Sequence, residues 1–97
     1  MRVTTVEKFR DACAEVPTLA AMWRAMHSAA VALEDVRIDL AFKDASKEKI
    51  APSEERRYED LKMKFEKVRD DLVAAARSTN ITGPHITIDG INALYRH

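Results

Sequence analysis

Three histidines, one cysteine and the adjacent carboxylates Glu34-Asp35 and Asp70-Asp71 are the groups in this sequence with chemistry available to them. A helical metal site needs His, Cys, Asp or Glu at i, i+3 or i, i+4 on one face. His27 has no such partner before Glu34, two turns away, and His85 and His97 stand in the C-terminal tail. No H-E-x-x-H or C-x-x-C motif occurs, so no metal and no cofactor is expected. Cys13 falls on the apolar side of a short helix with no helical histidine to activate it, and reads as a buried structural thiol. Adjacent carboxylates on a helix diverge by ~100°, so neither pair makes an acid–base couple locally. Gly83 and Gly90 are the only glycines, too few for a phosphate-cradling loop. The sequence therefore specifies no reaction, and a non-enzymatic protein is expected.

One segment has a family likeness. His27-Ser28-Ala29-Ala30-Val31-Ala32-Leu33 resembles the helix that carries the acceptor histidine of histidine phosphotransfer domains, which are also helical bundles. The resemblance spans these seven residues and implies a solvent-facing phosphoacceptor at His27. The lysine and glycine that normally follow the acceptor are absent here.

The elements that would position these groups are written in the apolar spacing. Leu19, Met22, Met26, Ala29, Leu33, Val36 and Leu40 step by alternating threes and fours, an a/d heptad seam. Tyr58, Leu61, Phe65, Val68, Leu72 and Ala75 repeat the pattern. The expected fold is all-α: an antiparallel helical hairpin or bundle with a short N-terminal helix and an extended C-terminal tail. Helix 1 is placed at 4–16, capped by Thr4 with Glu7 in capping-box position and ended or kinked by Pro17. Helix 2 is placed at 18–43, a polar connector at 44–53, and helix 3 at 54–77 behind Ser53 as N-cap. Antiparallel registration sets Leu33 opposite Phe65 and Met26 opposite Leu72. In the tail, 78–97, Asn80 or Gly83 can close helix 3. Residues 85–89 alternate as a short strand would, and Asp89 can cap a last helix over 90–96. A lone strand has nothing to pair with in a helical domain. It lies on the bundle as an extended arm, pairs with another copy, or pairs with the Arg2–Val6 stretch.

Length and composition bound the function. Ninety-seven residues make one small domain with a thin core. Sixteen basic and sixteen acidic residues cancel, which argues against a general nucleic-acid binder or a membrane-surface helix. The cations Arg56, Arg57, Lys62, Lys64, Lys67 and Arg69 are interleaved with acids, so no stripe of one sign forms. A single cysteine, no secretory signal and no long apolar run point to the cytoplasm. Without such a signal, Asn80-Ile81-Thr82 reads as a chance match to a glycosylation acceptor.

One feature of the long helix is left over. Val31, Ile38 and Phe42 project nearly opposite the seam, so a two-helix hairpin leaves them in water. The first helix or the tail covers them, or a second copy does in a homodimer, or another protein does. The expected function is a protein–protein interaction module, a small adaptor, chaperone or inhibitor of the kind found among bacterial or phage accessory proteins. Its candidate binding residues are Trp23, Val31, Ile38 and Phe42, with Ile86, Ile88, Leu94 and Tyr95 of the tail as a second contact. Two other classes stay open: a transcriptional regulator or nucleic-acid-associated helical dimer, and a small enzyme whose site forms between subunits.

Overall fold

Local capping chemistry sets where each helix starts. A computed structural model describes residues 1–96, so His97 lies outside the described residues. In α1 (Val6–Ala14) the cap is Thr5 rather than Thr4: its backbone is extended and its hydroxyl accepts from the Lys8 amide at 3.1 Å. Proline opens both long helices, α2 (Pro17–Ala45) and α3 (Pro52–Ser78), at the first turn where its missing N–H has no helical partner to lose. Ser53 is consequently inside α3 and not its cap. The Glu54 carboxylate instead reaches back to accept from the Ala51 amide at 3.2 Å. The last helix, α4 (Ile88–Ala93), is capped by Thr87, whose hydroxyl accepts from the Gly90 amide at 3.0 Å; Asp89 sits in the first turn.

Both long helices end the same way. Lys47 (φ 58°) and Asn80 (φ 64°) take the left-handed conformation just past the helix. Glu48 N then donates to Lys43 O, and Ile81 N to Ala76 O, each at 2.8 Å. These six-to-one bonds satisfy carbonyls that a helix terminus leaves open. Asn80 thus closes α3, and Gly83 has a different task. A Cβ on Gly83 would lie 2.3 Å from Cδ1 of Phe9, so glycine is what lets the tail pass over that ring.

The described residues are mostly helical and contain no strand. The alternating segment 85–89 does not form one: His85 and Ile86 carry no regular structure, Thr87 is the extended cap residue, and Ile88 already begins α4. The backbone pairing that does exist lies slightly upstream. Arg2 and Thr82 form one parallel bridge, with Val3 N donating to Thr82 O and Thr82 N to Met1 O, both at 2.8 Å. Ile86 is buried, so the extended arm lies on the helices.

Helices α2 and α3 pack against each other, and α1 and α4 both pack on α2. The core they enclose is Phe9 and Cys13 of α1, Leu19, Trp23, Met26, Ala29, Ala30 and Leu33 of α2, and Phe65, Leu72 and Ala76 of α3. Ile81, Ile86 and Ile91 close it from the tail. Along the two long helices it ends at Leu33 of α2 and begins at Phe65 of α3. From residue 34 to residue 64 no side chain is buried. The seam residues Val36, Leu40, Tyr58 and Leu61 continue the heptad spacing there but are only half-covered. Heptad spacing places these side chains; full burial needs a third layer, and α1 and the tail do not extend over them. The result is an elongated particle, 48 × 26 × 19 Å, with a packed base and a bare outer stretch.

Candidate functional site

The base consumes most of the groups with chemical potential. Cys13 is fully buried, and burial alone raises its thiol pKa to about 11, so almost no thiolate forms near neutrality. His27 does not stand open to solvent as a phosphoacceptor would. Its ring stacks on Tyr95, with centroids 4.0 Å apart and planes 14° from parallel. Tyr95 is held in turn, because Trp23 donates its indole N–H to the phenol oxygen at 3.1 Å. The Arg10 guanidinium lies 5.9 Å from the centre of the same ring. Four residues from α1, α2 and the tail therefore make one aromatic–cation cluster that pins the C-terminal segment to the base.

The carboxylate pairs diverge as the helical geometry requires. Glu34 accepts from Arg37 Nε at 2.9 Å and has Arg96 at 3.8 Å, while its neighbour Asp35 is exposed. The bond to Arg37 holds the Glu34 carboxyl below its ordinary pKa. Asp70 pairs with Arg69 and Asp71 with Lys67, each at 3.1 Å. Among the described residues, no three His, Cys, Asp or Glu side chains come together as a metal site. No helix of the described residues is long and apolar enough to cross a membrane.

The eight candidate binding residues separate into groups. Trp23 and Ile86 are core, at 5% and 1% exposure. Ile88 and Leu94 are half-buried against that core. Tyr95 is partly exposed but serves as the roof over His27. Val31, at the edge of the base, and Ile38 and Phe42, on the outer stretch of α2, remain exposed, with Phe42 at 74% exposure and Ile38 at 51%. Met63 of α3 is also exposed. The outer stretch is held by ion pairs: Lys43, near the end of α2, bonds the Glu54 carboxylate at the start of α3 and lies 3.7 Å from Asp39.

Two features escape a reading of the sequence. The Trp23–Tyr95 bond joins residues 72 positions apart, and no local pattern marks it. The second is a cleft of about 470 Å³ between α3 and the tail, lined by Arg69, Asp70, Val73, Ala74, Arg77 and the segment 83–86. Compared with protein-family models, curated proteins and solved structures, the chain gives no match.

Proposed function

We propose that the protein is a non-enzymatic protein-binding module, acting in the cytoplasm as a small adaptor, chaperone or inhibitor. It docks through the apolar face Val31–Ile38–Phe42. The observation that carries this reading is the distribution of burial: the core ends at Leu33 and does not resume until Phe65. The connector between Ala45 and Pro52 is six residues, at most ~20 Å, whereas α3 is ~40 Å long. Such a link supports an antiparallel hairpin whose outer half projects from the base. A two-helix projection with half-covered seam residues gains little from its own packing. Exposed Ile and Phe side chains on it gain more when a partner covers them. The spacing of 31, 38 and 42 is itself a heptad fragment, so the partner surface is expected to be another apolar helix face.

A photoreactive residue at position 42 tests this in cells, with position 8 of α1 as the comparison site. The reading expects one discrete adduct from position 42, lost when Ile38→Asp is added, and none from position 8. Equal adducts from both positions, or an adduct indifferent to Ile38→Asp, would reject it. The same experiment separates the occupants. A second copy, which a self-complementary heptad face and zero net charge favour, gives an adduct of twice the chain mass.

A further inference from the structure

We propose that the cleft between α3 and the tail binds a small phosphate-bearing ligand. Its α3 wall carries Arg69, Asp70, Val73, Ala74 and Arg77, one face of the helix over two turns, and its opposite wall is the extended segment 83–86. At about 470 Å³ it falls within the size range of small-molecule sites.

The charge in this cleft departs from the neutral balance of the chain. Arg69 and Arg77 stand eight residues apart, ~12 Å along the helix, on opposite ends of the α3 wall. His85 lines the same cleft from the tail. The one acid present, Asp70, is already engaged by Arg69 Nε at 3.1 Å. Two arginines against one aspartate leave a net excess of one positive charge over a floor of small and apolar groups, Val73, Ala74, Pro84 and Ile86.

Arg69 is oriented before any ligand arrives. Besides Asp70, its Nη1 donates to the Ile86 carbonyl at 3.4 Å, and its guanidinium lies 5.7 Å from the centre of the Phe65 ring. The side chain is mostly covered, so it has already given up the rotamer freedom that a surface arginine would lose on binding. Among the described residues, no hydrogen bond engages Nη2 of Arg69 or any side-chain atom of Arg77 or His85. Planar guanidinium donors match two oxygens of a phosphate at once, and a phosphate carries more charge and more acceptor oxygens than a carboxylate. The carbonyls at the end of α3 do not oppose an anion strongly, since Thr79, Asn80 and Ile81 amides bond those of Ala75, Ala76 and Arg77.

The test is an NMR titration of the full chain with inorganic phosphate, against sodium chloride and sodium acetate at matched ionic strength. The proposal expects saturable shifts confined to the amides of Gly83, His85 and Ile86 and to the Arg69 and Arg77 side chains. It expects roughly tenfold weaker binding in Arg77→Gln and no change in Arg56→Gln, on the same helix but outside the cleft. Arg77 is exposed, so its variant keeps the fold. Shifts that never saturate, that spread over all arginine-bearing surfaces, that saturate at the same phosphate concentration in Arg77→Gln or that acetate reproduces at equal concentration would each overturn it.

Discussion

Gly83→Ala tests the packing of the base at a single atom. The added Cβ would sit 2.3 Å from Cδ1 and 2.9 Å from Cγ of Phe9, against ordinary contacts that begin at 3.4 Å. The ring or the tail must therefore retreat by about 1 Å. Neither has room. Phe9 is buried, and it meets Trp23 at 6.4 Å between ring centres. Trp23 is itself fixed through Tyr95. Gly83 does not adopt a positive φ, so alanine suffers no backbone strain there and the penalty is steric. Overpacking of this kind costs ~1–3 kcal/mol, offset by ~0.4–1 kcal/mol from the stiffer unfolded chain. The net loss of about 1–2 kcal/mol should lower Tm by roughly 5–15 °C in a domain this small. Urea and thermal unfolding read it directly. Phe9→Leu makes space, so the double variant should be less destabilised than the sum of the singles by about 1 kcal/mol. An unchanged Tm for Gly83→Ala, or strict additivity in the cycle, would refute the close approach of tail and ring.

Other expectations follow from the split between base and outer stretch. Leu72→Ala, in the base, should cost ~2–5 kcal/mol, and Leu61→Ala, half-covered, less than about 2 kcal/mol; equal losses in urea midpoint would count against the asymmetry. Cys13 should resist a disulfide reagent at pH 8 and react in step with global unfolding in urea, whereas rapid native labelling would show that the thiol is accessible. Glu34 and Glu54 have folded pKa values held below the ordinary 4.5, by the bond to Arg37 and by the bond to Lys43 respectively. Their contribution is complete above that value and is lost as pH falls through the depressed folded values, so Glu34→Gln should flatten the acid limb of Tm against pH. An acid limb of unchanged slope would mean the Arg37 pairing contributes nothing in solution.

The helical class was legible because heptad spacing is local and repeats over many residues. Leu33 and Phe65, Met26 and Leu72 all reach the core as the spacing implies. The caps differ from the spacing by a residue or two because Thr4 and Thr5, or Thr87 and Asp89, can each accept a backbone N–H, and the one that does is set by where the backbone enters the helix. The alternation and β-branched residues of 85–89 suit an arm lying on helices as well as they suit a strand. The spacing could not show where burial stops. Val36 and Leu40 carry the same seam as Leu19 and Met26, and only the reach of α1 and the tail separates them. His27 illustrates the same limit: its environment is set by Tyr95, far away in sequence, and no helical wheel contains that partner.

The proposed docking surface requires Ile38 and Phe42 to be held ready for another molecule and not for this chain's own core. Ile38→Asp, measured by circular dichroism, urea unfolding and light scattering across a dilution series, addresses that most directly. Full helicity, and a monomer unfolding midpoint within about 0.5 kcal/mol of the parent, are the predicted results, with loss of the adduct formed from position 42. A variant that loses its helical signal, or that unfolds several kcal/mol more easily as a monomer, would place Ile38 in the core and contradict the docking surface.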